Sequence, residues 1–387
     1  MLHAAAGTLW SMQNGLRILP KLNPLQLLAA ALLVGLAACT VPITTKPQAK
    51  VNVNSGPVTT NNTSPAVAAD PGVLSLETQF EKVVAQDQPS VVQIETAAGL
   101  GSGVVFDGLG DIVTNNHVVE NYGGVLIVTD FSGHTYSNQK TASNVVLLGT
   151  YPADDLAVIR VANSSLQQAT FADSSQVKVG QLALALGNPL GLQSSVTEGI
   201  VSATGRTESE GATDPFGNST GNRLTSLIQT SAAINPGNSG GALVDINGDV
   251  IGIPTLAAGD PNSSGQAPGI GFAIDSNTAV LIAKQLIANG KVTNTGQAYL
   301  GVTTEQITDG AGVRVDSVVA GGPADSAGVK VGDLIVTLSG KATPTEDDLV
   351  GALAASKPGD KVQVGLRHSD GSSSTVTVTL GTKPPQA

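Results

Sequence analysis

Short runs of β-branched and aliphatic residues, repeatedly closed by glycine, commit this chain to strands and tight turns rather than long helices. Glycine accounts for 46 of the 387 residues and aromatic side chains for only 3%, so the cores must be built from Val, Ile, Leu and Ala. The pattern places strands at residues 90–95, 103–106, 112–114, 125–129, 145–150 and 156–161, a first β-barrel of about six strands. A second set falls at 182–186, 195–204, 227–229, 242–245, 250–255 and 271–274. Helices are expected at 74–84, 278–289 and 345–355. The length is enough for two domains.

One glycine cluster carries chemistry. In Gly237-Asn238-Ser239-Gly240-Gly241 a serine sits in a turn of small residues, where backbone N–H groups can approach a substrate carbonyl unobstructed. A serine hydroxyl attacks only if a base removes its proton and donors hold the resulting oxyanion. Four histidines could supply the base: His3, His117, His134 and His368. His3 lies in a targeting-like segment, and His134 and His368 lie in turn sequences expected to be solvated. His117 follows Ile112-Val113-Thr114 at the end of an expected strand. The competing reading is a hydrogen-bonded core histidine. The carboxylate that would orient it is expected just before a strand, and Asp154-Asp155-Leu156-Ala157-Val158-Ile159 offers two. Asp155 adjoins the apolar run, and Asp154 reads as its solvated neighbour.

The order His117, Asp155, Ser239 is that of the chymotrypsin-type arrangement. The same glycines also satisfy the G-x-S-x-G elbow of α/β-hydrolases, but that elbow needs a later histidine and a following helix. His368 lies in what reads as a separate small domain, and Gly240-Gly241-Ala242-Leu243-Val244 continues as a strand, so the elbow reading fails.

Thr114-Asn115-Asn116-His117-Val118-Val119, Asp155-Leu156-Ala157-Val158-Ile159 and Asn235-Pro236-Gly237-Asn238-Ser239-Gly240-Gly241-Ala242-Leu243 resemble the three active-site blocks of the HtrA (DegP/DegS-like) serine proteases. Gly101-Ser102-Gly103-Val104-Val105, Leu186-Gly187-Asn188-Pro189, the segment 196–202 and Gly269-Ile270-Gly271-Phe272-Ala273-Ile274 resemble their supporting blocks. The resemblance runs from about residue 76 to 383. It implies a mainly β fold, a chymotrypsin-like double β-barrel at 74–290 followed by a small α+β PDZ domain at 297–383. In the latter, Tyr299-Leu300-Gly301-Val302 resembles the carboxylate-binding loop, with Leu349 and Leu353 as candidate pocket residues or core.

The resemblance implies a serine endopeptidase with Ser239 as nucleophile, His117 as base and Asp155 orienting it. The loop Gly237, Asn238, Ser239 would form the oxyanion hole, and Ile234 would line an aliphatic pocket. It also implies unfolded envelope proteins as substrates, apolar C-termini as PDZ ligands and homo-trimers or larger assemblies. No cofactor or metal is called for. A rival reading keeps the fold as a proteolytically inactive, membrane-tethered binding protein or holdase. Two positions depart from the family pattern: Ser231 replaces a usual aspartate, and Pro254 lacks an N–H where a substrate strand would pair.

Arg17 and Lys21 precede an apolar stretch at 25–38 that ends in Leu36-Ala37-Ala38-Cys39, the pattern of a bacterial lipoprotein signal. Residues 1–38 then read as a signal peptide, or from Met12 as a shorter one, and 39–73 as a flexible linker above a membrane. An uncleaved anchor is the alternative. Cys39 is the only cysteine, which excludes an internal disulfide. These features imply an exported, membrane-anchored envelope protein. The net charge of −11, without basic clusters, argues against nucleic acid as a partner.

Overall fold

The computed structural model describes residues 71–139, 144–188, 195–209, 223–235, 237–259, 266–307 and 311–385. Cys39, the leader and the linker up to residue 70 lie outside these residues, and residues 71–73, expected as linker, are helical. The chain from Ala68 onward forms one compact unit.

Helix α1 (Pro71–Asp87) leads into seven strands: β1 (Val91–Thr96), β2 (Leu100–Val105), β3 (Asp111–Thr114), β4 (Leu126–Thr129), β5 (Thr135–Ser137), β6 (Val145–Tyr151) and β7 (Leu156–Val161). They form a curled antiparallel sheet in the order β5-β4-β1-β2-β3-β7-β6, with the four-residue helix α2 (Asn116–Val119) after β3. The sheet has one strand more than the pattern counted. β5 was hidden because only three residues pair across the β4–β5 hairpin.

Strands β8 (Leu182–Gly187), β9 (Ser195–Ser209), β10 (Arg223–Thr230), β11 (Ala242–Asp245), β12 (Val250–Gly259) and β13 (Gln266–Asp275) close a barrel in the order β10-β13-β12-β11-β8-β9. β9 runs past the expected residue 204 because Arg223 and Leu224 pair with Ser209 and Glu208. Residues 205–209, beyond the expected strand, are therefore strand as well.

Helix α3 (Ser276–Asn289) follows, started by the Asp275 carboxylate accepting the Thr278 N–H and stopped by Gly290 in the left-handed conformation (φ 67°). Its buried Ile282 and Leu286 join Val83 of α1, Val104 and Val113 of the sheet, and Leu184, Val244 and Ile253 of the barrel in one apolar cluster. The two halves are therefore glued along a common core, and their seam is where a site can form.

The last part contains β14 (Ala298–Tyr299), β15 (Val302–Gln306), β16 (Val313–Val318), α4 (Pro323–Ser326), β17 (Leu334–Leu338), β18 (Lys341–Ala342), α5 (Glu346–Ala354), β19 (Lys361–Arg367), β20 (Ser373–Thr379) and β21 (Gly381–Thr382). One sheet runs β15-β16-β17-β19-β20 with β18 beside β17, and β14 pairs with β21. This part has its own core, including Leu300, Val315, Ile335, Leu349, Val364 and Leu380. Helix α5 opens with a capping box in which Thr345 and Asp348 satisfy each other's backbone N–H groups.

Candidate active site

The site is assembled from both halves. β3 ends at Thr114, and the next residues turn into α2, which presents His117 at the seam. Asp155 reaches it from the turn just before β7, whose first residues pair with the end of β3. The 3₁₀ turn Pro152–Asp154 ends on Asp155 in the left-handed conformation (φ 50°, ψ 44°), which turns its side chain back toward α2. A non-glycine residue there carries roughly 1–2 kcal/mol of strain, held by the contacts around it.

Those contacts are numerous. Asp155 Oδ1 accepts the His117 N–H at 2.9 Å, and Oδ2 lies 2.8 Å from His117 Nδ1. Oδ2 also accepts the Thr255 hydroxyl of β12. The Asp155 carbonyl accepts the Asn115 side-chain amide and the Asn116 N–H, both at 3.0 Å. Asp155 is 1% exposed, while the His117 side chain remains 42% exposed toward the cleft. The core-histidine reading of His117 therefore does not describe it.

Ser239 sits in the turn between β10 and β11, gripped from the first half. Ser102 of β2 donates its N–H to the Ser239 carbonyl (2.9 Å) and its hydroxyl to the Gly237 carbonyl (2.5 Å). Ser102 is itself fixed, its hydroxyl accepting the Asn188 N–H and its carbonyl accepting the Thr114 hydroxyl. So close a seam requires glycine. A Cβ on Gly240 (φ +80°) would lie 2.3 Å from the Ser102 carbonyl oxygen, and one on Gly241 would lie 2.2 Å from that of Leu186. His117, Ser239, Gly237, Ile234 and Thr255 line one cleft of about 330 Å³. Its apolar floor residue Ile234 is 5% exposed and crowds Gly271, where a Cβ would meet Ile234 at 2.4 Å.

Several sequence expectations change. Asn238, expected with Gly237 and Ser239 as an oxyanion donor, commits its N–H to the Asn235 carbonyl (3.0 Å) and is 1% exposed. Pro254 does not face the cleft. It is buried opposite Ala273 in the barrel register, and its carbonyl accepts the Gly240 N–H; Thr255 is the residue of that strand that lines the cleft. Ser231 holds β9, its hydroxyl accepting the Ile200 N–H at 3.0 Å. His134 does occupy an exposed hairpin turn beside Asp130. His368 sits in the expected turn between β19 and β20, but its half-buried ring bridges Asp333 Oδ1 (2.7 Å) and the Ser374 hydroxyl (2.8 Å).

Asp154 is the largest correction. It is 3% exposed, and its Oδ1 accepts the Gln297 side-chain amide at 2.9 Å while Oδ2 has no hydrogen bond. Burial pushes its carboxyl up to about 6; Lys383 and the Gln297 bond oppose this, and Asp275 adds to it. The neutral form is thus favoured on folding, and the associated stability is lost as pH rises through about 6. Nothing in the residues themselves signals this, since Asp154 and Asp155 differ only in which side of one turn they occupy. Thr255 and the gripping role of Ser102 were also missed. Ser102 lay within a recognised block, whereas a threonine in a strand carries no signal of its own.

A second cavity, of about 360 Å³, lies beside the Tyr299-Leu300-Gly301-Val302 loop. Gly301 has φ +80°, and both Leu349 and Leu353 of α5 line the cavity, Leu349 being buried in the core as well. Thr225 and Leu281, from β10 and α3, complete the wall, and Arg223 of β10 pairs with Asp347 of α5.

A barrel and a curled sheet with this seam define a trypsin-like serine peptidase joined to a peptide-binding module. The sequence matches the trypsin-like peptidase domain over residues 101–253 and the PDZ domain over residues 298–380. It is 39% identical over 328 residues to the serine protease PepD of Mycobacterium tuberculosis, covering 82% of this chain and 68% of that protein. It is 38% identical over 320 residues to the periplasmic pH-dependent serine endoprotease DegQ of Escherichia coli, covering 79% of this chain and 64% of that one. The chain thus spans about two thirds of the length of these curated relatives. Among solved structures, the HtrA-type protease AlgW with a tripeptide matches at a TM-score of 0.56 and 32% identity, over 79% of this chain and 98% of that one. The chain belongs to the HtrA family of serine proteases with a single PDZ domain.

Proposed function

We propose that Ser239, His117 and Asp155 carry peptide-bond hydrolysis, on the strength of the Asp155–His117 pair standing in the same cleft as Ser239. The Asp155 carboxylate accepts the His117 Nδ1–H, which leaves Nε2 to take the Ser239 proton as the hydroxyl attacks the carbonyl carbon. The imidazolium then protonates the leaving amine, and water repeats the sequence on the acyl-enzyme. The Gly237 and Ser239 N–H groups hold the tetrahedral oxyanion, a contribution of roughly 10²–10³ in rate per donor.

Ile234 on the cleft floor favours small aliphatic side chains before the scissile bond. Unfolded proteins expose such segments, and the periplasmic names of relatives fit substrates in the cell envelope. The Tyr299–Val302 loop and the Leu349–Leu353 wall suit a peptide with a free apolar C-terminus, added as a strand along β15. Lipidation at Cys39 would tether residues 74–290 and 297–383, as peptidase and PDZ domains, to a membrane, and oligomers are expected as in the family.

The test is cleavage of casein by the wild type and by Ser239→Ala. Loss of cleavage only in the variant is expected. Equal cleavage would refute the nucleophile, and silence of both would favour the binding-protein reading.

A further inference from the structure

Two adjacent aspartates leave one turn in opposite directions. Asp155 faces His117, whereas Asp154 faces the segment that joins the peptidase to the PDZ domain. That segment is closely tied to the PDZ domain. The Gln297 carbonyl accepts the Lys383 N–H (2.9 Å), the Thr295 hydroxyl donates to the Lys383 carbonyl (2.8 Å), and β14 then pairs with β21. Gln297 lies two residues before Tyr299, where the carboxylate loop begins. Its side-chain amide is the donor that meets the buried Asp154 carboxylate, whose other oxygen has no hydrogen bond.

A buried carboxyl with one partner is an unstable arrangement unless that partner stays. Withdrawing Gln297 leaves Asp154 without a donor at a place where it is 3% exposed, which favours opening of the 3₁₀ turn to water. The same turn imposes the left-handed conformation of Asp155 through the Asp155 N–H bond to the Pro152 carbonyl (3.0 Å). Opening it releases the strained residue that holds His117.

We propose that Asp154 is a positioning residue that fixes the turn presenting Asp155, and that Gln297 makes this fixing depend on the docked PDZ domain. The inference rests on Asp155 being the orienting carboxylate, and it adds a physical link from the carboxylate loop to that group. Asp154 touches no substrate and acts only through its neighbour.

The test compares the full chain with Asp154→Ala, Asp154→Asn, Gln297→Ala and Ser239→Ala; the active sites of all but the last, which lacks the reacting hydroxyl and is matched by protein concentration, are titrated with a fluorophosphonate so that kcat refers to folded enzyme. Asp154→Ala and Gln297→Ala are each expected to lower kcat about tenfold with KM little changed. The acid limb of their kcat/KM profile should move to lower pH, because a loosened Asp155 supports the His117 cation less. Asp154→Asn removes the same charge but keeps an oxygen for Gln297, and is expected to recover most of the lost kcat and of the acid limb.

Wild-type behaviour of Gln297→Ala, or equal loss in the Asn and Ala variants of Asp154, overturns the proposal and leaves the nucleophile assignment standing. Full activity of Ser239→Ala removes the reading beneath it.

Discussion

Asp87 stores a pH-dependent instability that one substitution should release. It ends α1, is 7% exposed, and its Oδ2 has no hydrogen bond. The hairpin after β11 presses against it so closely that a Cβ on Gly248 would lie 2.5 Å from that oxygen. Burial first, then Asp249 and Asp245, push its carboxyl from 3.8 to about 7, with the Gln86 side chain opposing. The folded state therefore holds a proton that the unfolded chain releases. Stability is fully present below about pH 4 and is lost as pH rises through about 7.

The whole shift corresponds to about 4 kcal/mol. Asn247 and Asp249 open the hairpin to water, so screening reduces this to about 1–2 kcal/mol at pH 8. Asp87→Asn keeps the shape, removes the charge and offers a donor to the neighbouring carboxylates. Urea unfolding should give matching stabilities at pH 4 and a variant more stable by about 1–2 kcal/mol at pH 8. A variant that is less stable at pH 8 would show an ionised, partnered carboxylate and refute the reasoning.

Two further outcomes test the seam. Thr255→Val removes the hydroxyl donated to Asp155 and should cost about tenfold in kcat, the worth of a hydrogen bond to a charged group, with the thermal midpoint unchanged within a few degrees. Gly240→Ala places a methyl 2.3 Å from the Ser102 carbonyl at φ +80°, so calorimetry should show about 2–3 kcal/mol of lost stability and peptidase assays at least a hundredfold loss of kcat.

Much of this was legible in the chain. Strand positions followed from β-branched runs between glycines, and the His117, Asp155 and Ser239 blocks carried enough order to name a family. What stayed hidden depends on which way a side chain points once strands are paired. Asp154 and Asp155 look equivalent until the left-handed turn sends one to the cleft and the other to the PDZ hinge. Pro254 and Thr255 exchange roles by a single step of strand alternation, because period two puts neighbours on opposite faces. The extra length of β9 and β13 was invisible because pairing with a partner strand, rather than propensity, extends them. His368 is the turn residue it looked like, and its second role as a cross-link stayed hidden because neither Asp333 nor Ser374 adjoins it in sequence.

The grip of Ser102 on the Gly237 and Ser239 carbonyls makes Ser239, the proposed nucleophile, a gauge of the joint between the two halves. The serine is borne by one half but aimed by the other, so neither half contains a working turn of its own. A separation too small to disturb either sheet, well short of unfolding, is enough to let go of both carbonyls. The enzyme is thereby built to fall silent early, losing its cutting power while its strands are still intact. A protease that fails in that order stops cutting before it begins to unfold.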